Sequence, residues 1–340
     1  MRYRLLIVVV ATTFCTVIAL QGLGLRRLAA EWMALHPMTV PGVLVLYTAN
    51  FLLRAARFRC LVTQPVSWGA MLSVVGVGFL AITVIPLRLG ELVRPYLLAE
   101  RHGVPFGAGL AAVVAERVLD LVALLVCCLV VAWGVAFPVG LRVGGVDVLA
   151  AAQTGVGAVA AVGLMAIAAL ALRGARVVTM LAEFFGGRRP RLGRWIQHNG
   201  EAFVAGVGVV LSRPWITVYT GVMTLLMWMF SVGGLGAMSW GVGLDHLSVG
   251  EILGAWTVTV TTAVVVPTPA SMGSFEFGGV GALVGLGVER ELAQTVIVAL
   301  HAVTLLHTVA VGVAFLLLTG GSLRSLARAS QDAAVDAATP

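Results

Sequence analysis

The feature that most constrains this chain is a series of stretches of about 18 or more residues without a charged side chain. A segment of that length and polarity is stable as a helix across a bilayer, where every backbone polar group must be satisfied within the segment. Composition agrees. Of the 340 residues, 60% are apolar even before 41 glycines are added, against about 45–50% with glycine included in soluble domains. The fold expected is an all-α polytopic membrane protein.

The net charge of +7 comes from arginine, because the chain contains no lysine. A basic balance can mean nucleic acid, but that reading needs a basic face on a soluble domain. Here the arginines sit between apolar runs, as topology signals and lipid-headgroup anchors do, so no nucleic-acid partner is expected. Cys15, Cys60, Cys127 and Cys128 form no CxxC pair, and three of them lie inside apolar runs. They read as small buried hydrophobes rather than zinc ligands or disulfides. Neither a metal nor a cofactor is expected.

Apolar runs lie at about 5–25, 40–58, 68–86, 108–136, 148–172, 215–241, 246–266, 268–288 and 291–319. The first follows Arg2 and Arg4 but is long and lacks a strong cleavage site, so it is expected as an uncleaved span. Residues 173–213 form a basic connection carrying Arg173, Arg176, Arg188, Arg189, Arg191, Arg194 and Arg213 against Glu183 and Glu201. The positive-inside rule places it in the cytoplasm, together with Arg54, Arg57 and Arg59, both termini, and a disordered tail at 321–340. Parity then requires two regions that enter and leave on one side, about 68–101 and about 246–289.

Each of those regions is broken by a proline, Pro86 and Pro267. Proline removes a backbone donor and clashes with the preceding turn. Broken backbone at membrane depth persists only where protein or a polar cavity satisfies it. Two matching breaks point to an inverted repeat with its site where half-helices meet. The expectation is one transmembrane domain over 1–320, with about six full spans and two re-entrant helical hairpins.

Charged residues follow these breaks: Arg88, Glu91 and Arg94 after the first, and Glu276 after the second. Glu116, Arg117 and Asp120 lie within the run 108–136. Each ionised group at bilayer depth costs about 2.5–3.5 kcal/mol on insertion scales, so these must pair or line a wet cavity. Glu116 and Asp120 share a helical face, and Glu91 and Arg94 are three apart. One reading is a buried ion-pair lattice that only fixes packing. The other is that Arg88, Arg94 and Arg117 hold a lipid phosphate bidentately while Glu91, Glu116, Asp120 and Glu276 position them. This set holds one more carboxylate than arginine, so one carboxylate is expected to hold a proton.

The segments Pro86-Leu87-Arg88-Leu89-Gly90-Glu91 with Arg94, Glu116-Arg117 with Asp120, and Pro267-x-Pro269-x-x-x-Gly273-x-x-Glu276 resemble the transmembrane domain family of bacterial lysylphosphatidylglycerol synthases. Related stand-alone proteins are described as flippase-like. The resemblance implies a lipid flippase-type fold over roughly 1–320, with Pro86, Gly90, Pro267, Pro269 and Gly273 as structural motif positions. One departure is Ala270-Ser271, where the family more often has glycine. With about 20 residues after the last span, a soluble aminoacyl-transferring domain has no room, so a translocator of a polar-headed phospholipid or lipid-linked glycan is expected rather than an enzyme. The partners expected are a membrane lipid with an anionic headgroup and a separate lipid-modifying enzyme. The alternatives are an ion-coupled carrier of a small anion and an accessory scaffold for lipid or envelope biosynthesis.

Smaller signals have packing readings. Gly76-Val77-Gly78 and Gly281-x-x-x-Gly285 read as close helix contacts. His301 and His307, six apart, fall on different helical faces, and His301 is a possible proton acceptor. Trp195, Trp215, Trp240 and Trp256 read as interfacial anchors. Residues 200–212 read either as a surface-lying amphipathic segment or as a lead-in to the next span.

Overall fold

The computed structural model describes residues 12–13, 15–17, 21, 30, 32–62, 64–85, 90–134, 142–143, 146–147, 154, 158, 161–162, 165, 173–187 and 190–319. Its long helices are α1 (Thr39–Leu61), α2 (Trp68–Val84), α3 (Val93–His102), α4 (Phe106–Gly134), α5 (Pro190–Ser212), α6 (Pro214–Gly241), α7 (Val249–Val265), α8 (Ser274–Gly285) and α9 (Arg290–Leu318). Residues 173–186 are also helical. Among the described residues a minimal antiparallel pair also occurs, Arg142–Val143 with Val146–Asp147, in which Arg142 faces Asp147 and Val143 faces Val146.

Among the described residues α1, α6 and α9 are long and apolar enough to cross a membrane. They correspond to the runs 40–58, 215–241 and 291–319. The run 108–136 becomes α4, whose 29 residues extend about 43 Å at 1.5 Å per residue but carry Glu116, Arg117 and Asp120 midway. Most of the runs 5–25 and 148–172, and the tail 321–340, lie outside the described residues. The exposed side of α6 is apolar: Trp215, Val218, Tyr219, Val222, Leu225, Leu226 and Met229 recur at three- and four-residue spacing on the surface. Such a stripe suits lipid and not water. This is a helical, multi-pass membrane protein.

Two helical hairpins are built alike. In the first, Ser67 caps α2, its hydroxyl accepting from the Ala70 N–H. In the second, Ser248 caps α7 reciprocally: its hydroxyl accepts from the Glu251 N–H while Glu251 Oε2 accepts from the Ser248 N–H at 2.8 Å. Each capped helix has 17 residues, and one residue (Ile85, Val266) in non-helical backbone then precedes the proline. A shorter helix follows, α3 of 10 residues or α8 of 12. Residues 86–89 lie outside the described set, so the first turn itself is not described.

The chain forms two compact units: 1–50 with 121–159 and 226–307, and 51–120 with 160–225 and 308–340. In the unit holding the first hairpin, Ala55, Phe58, Met71, Val74, Leu80, Leu97 and Leu98 form the core. Gly90 is buried against the backbone of Ala81 and Ile82, where a Cβ would overlap it. Gly76 admits the Phe315 ring and Gly78 the Arg94 stem, the packing role expected of that pair. Residues 173–186 pack on α5 through Gly174 against Val204 and Gly200 against Val178. α5 ends before Arg213, and α6 begins at Pro214, so 200–212 belong to a separate helix and not to a lead-in of the same one.

In the other unit the core gathers Leu124, Cys128, Trp228, Leu235, Trp256, Leu283, Ile297 and Leu300. Trp256 is only 7% exposed and packs edge-on to Phe275 at 5.9 Å between centroids. It is a core residue and not the interfacial anchor expected from its place near a run end, because α7 turns that face toward α8. Trp195, Trp215 and Trp240 are exposed. The small-residue contact of α8 is also displaced: a Cβ at Gly281 meets nothing within 4 Å, whereas Gly278 faces Thr262 and Thr259, and Gly279 faces Ile297. Cys15, Cys127 and Cys128 are buried free thiols, and Cys60 is half-buried.

Candidate functional site

In the unit of the first hairpin, α1, α3, α4 and α6 bring charged residues into one network. Arg57 of α1 is fully buried. Its Nη1 donates to Asp120 Oδ1 at 2.6 Å and to the Thr224 hydroxyl at 2.8 Å, and its Nη2 donates to Glu116 Oε1 at 3.2 Å. Thr224 in turn donates to the Thr220 carbonyl at 2.7 Å. The other oxygen of Glu116 accepts from Arg94 Nη1. One buried carboxylate therefore joins two buried guanidiniums, which is how charge survives at depth.

Arg94 is enclosed by more than its ion pair. Its guanidinium carbon lies 4.7 Å from the Phe58 ring centre and 5.5 Å from that of Phe79, within cation–π range. Among the described residues, Nε and Nη2 of Arg94 have no hydrogen-bond partner, and the ring faces lie against the guanidinium instead. Gly78 leaves room for its stem.

Arg117 differs. Its side chain is 35% exposed and its Nη2 lies 3.3 Å from Asp120 Oδ2, while its Nε is 4.0 Å from Glu91 Oε2. Glu91 and Asp120 are 19% and 18% exposed. The network thus has a sealed interior, Arg57, Arg94 and Glu116, and an open margin, Arg117, Glu91 and Asp120.

Sequence reasoning read Arg57 only as a topology arginine, whereas the structure buries its side chain in the ion-pair network. Its partners Asp120 and Thr224 arrive from helices distant in sequence, so no local spacing exposes the role. The available signal was the charge count, since a surplus carboxylate at depth calls for another base. Arg54 of α1 joins Arg57, its guanidinium carbon 5.3 Å from the Phe79 ring centre and within electrostatic reach of Asp120, so the described part of this network holds four arginines and three carboxylates, and the expected surplus carboxylate is absent from it. The Glu91–Arg94 pairing is also replaced: Glu91 reaches Arg117, and Arg94 reaches Glu116. Pro86 and Arg88 lie outside the described residues.

Glu276 belongs to the other unit. Val266 in non-helical backbone is followed by Pro267, and Pro269 opens a 3-10 turn, Pro269–Ser271. Ala270 and Ser271 adopt φ of 51° and 60°, and Gly273 one of 82°. Left-handed backbone costs a residue with a Cβ about 1–2 kcal/mol, so Ala270 and Ser271 carry strain that glycine at the same positions would not. Glu276, in the first turn of α8, accepts the Gly273 N–H on Oε2 at 2.7 Å. Its Oε1 meets His301 Nδ1 of α9, and His301 Nε2 lies 3.1 Å from the Ala270 carbonyl. His307 faces elsewhere, its Nε2 3.0 Å from the Thr48 hydroxyl, as the six-residue offset requires.

A multi-pass helical membrane protein that holds arginines and carboxylates in a buried network is the class these features define. Its sequence matches the lysylphosphatidylglycerol synthase TM region over residues 3–312, and the chain belongs to that family. It is also 28% identical over 285 residues to a protein of Haloferax volcanii named Glycosyltransferase AglD, the match covering 76% of this chain and 41% of that protein. The chain thus spans about two fifths of the length of that relative. No solved structure matches.

Proposed function

We propose that this protein is a flippase-like translocator, not an enzyme, that moves a membrane lipid with an anionic headgroup across the cytoplasmic membrane. The observation that carries the reading is Arg117, a partly exposed cation that shares the open margin of the arginine–carboxylate lattice with Glu91 and Asp120. A planar guanidinium in that setting offers paired donors to phosphate oxygens. Arg57, Arg94 and Glu116 hold the frame, and Glu91 and Asp120 orient Arg117 and compete with the incoming anion for it. In the proposed topology about six helices span the bilayer and the two hairpins are re-entrant members of an inverted repeat. The termini and the basic connection 173–213 face the cytoplasm. The like construction of the two hairpins, each with a serine cap, 17 helical residues, one non-helical residue and proline, supports the repeat.

Family membership and the relative named as a glycosyltransferase favour a lipid or glycan pathway, so the substrate classes are a polar-headed phospholipid and a lipid-linked glycan, with a lipid-modifying enzyme as partner. The test is headgroup accessibility in sealed proteoliposomes carrying either labelled phosphatidylglycerol or a labelled polyprenyl-phosphate sugar. Wild type is expected to transfer one of them between leaflets. Arg117→Ala is expected to be slower by about tenfold or more, the loss of a charge-assisted hydrogen bond of about 1.5–3 kcal/mol. Equal rates in empty and protein-containing vesicles for both probes would reject translocation. Transport of a soluble anion alone would favour the small-anion carrier, and no transport with a folded protein the scaffold.

A further inference from the structure

His301 presents both ring nitrogens to oxygen acceptors. Nδ1 contacts Glu276 Oε1, and Nε2 lies 3.1 Å from the Ala270 carbonyl oxygen. A carbonyl has no proton to give, and a neutral imidazole carries one N–H. A neutral ring beside an ionised carboxylate therefore satisfies one contact and sets two lone pairs against each other in the other. One further proton removes the conflict. It sits either on the ring, so that both nitrogens donate, or on Oε1, donating to Nδ1 while Nε2–H donates to Ala270. Oε2 already accepts the Gly273 N–H at 2.7 Å.

We propose that the Glu276–His301 pair is a proton-binding site whose occupancy latches the turn of the second hairpin. Among the described residues, Glu276 of α8 is the charged side chain facing the ring. The Phe275 ring stacks over it at 4.6 Å, and the Ala270 backbone closes the far edge. On its own helix, the His301 carbonyl accepts from the Thr304 hydroxyl at 3.0 Å. When the proton leaves, the remaining N–H goes to the carboxylate, the stronger acceptor, and the Ala270 carbonyl loses its donor. Ala270 and Ser271 both sit in left-handed backbone, a conformation that persists only when its surroundings hold it. The turn at 269–271 is thus held at low pH and released as pH rises through the titration of the pair. The inference stands on the second hairpin alone and does not depend on what Arg117 binds.

The test uses the full chain in phosphatidylglycerol nanodiscs with nitrogen-15 histidine, its His301 signals assigned by their loss in His301→Gln. Between about pH 5 and about pH 9, the extra proton of the pair is expected to be bound at the acid end and lost at the alkaline end. Amide exchange of residues 268–273, corrected for its intrinsic pH dependence, is expected to rise over the same interval. In His301→Gln that rise is expected to vanish. A proton state that never changes over the range, or a change that leaves exchange of 268–273 flat, would overturn the proposal. If His301→Gln does not fold, His301→Asn supplies the assignment, and the wild-type exchange of 268–273, which needs no histidine assignment, still overturns the proposal if it stays flat.

Discussion

At Glu116 two guanidiniums meet one carboxylate out of contact with water, and removing that carboxylate would leave Arg57 and Arg94 as uncompensated buried charges. Breaking such a pair by deleting one partner costs about 3–5 kcal/mol. Glu116→Ala is therefore expected to lower the unfolding midpoint sharply in a detergent thermal melt, and Arg57→Ala to do the same. Arg117→Ala should cost at most about 1 kcal/mol, because its ion pairs lie at a partly exposed margin, while transport falls. Equal destabilisation by all three would make Arg117 part of the frame and remove it as the substrate contact. Ala270→Gly tests the second turn separately. It relieves left-handed strain of about 1–2 kcal/mol and should raise the melting midpoint; a drop would mean that the Ala270 methyl is needed for packing.

The hairpins depend on where glycine admits a neighbour. Gly279 faces Ile297 and Gly281 meets nothing within 4 Å on the same helix α8, so alanine should stabilise the second position more than the first. Gly281→Ala gains helix propensity of about 0.8–1 kcal/mol, whereas Gly279→Ala meets Ile297 and should be neutral or destabilising by comparison. A melt of the two variants side by side checks this, and a more stable Gly279→Ala would refute the assigned contact. The prolines and the glycine–glutamate pattern that follows them were legible in the sequence, because Pro and Gly act through their own backbone. Which α8 glycine makes the contact was not, because Gly278, Gly279 and Gly281 differ only in the helix each one faces.

For the whole molecule, the membrane assignment rests on properties that add residue by residue, whereas orientation rests on a statistical bias of arginine. A single cysteine introduced at Gly187, which is exposed within the basic connection, should react with an impermeant maleimide in inverted vesicles and not in intact cells, once the four native cysteines are replaced. Labelling from outside would invert the proposed topology. The apolar runs, the helix breaks and the need for buried charges to pair were set by the chain itself, since hydration cost and backbone geometry belong to each residue. The choice of partners belonged to the tertiary structure: Arg57 lies 63 residues from Asp120 and 167 from Thr224, and Glu276 found His301 on α9. Coulomb attraction at contact distance is short-ranged in its choice, and only packing decides which charges arrive within reach.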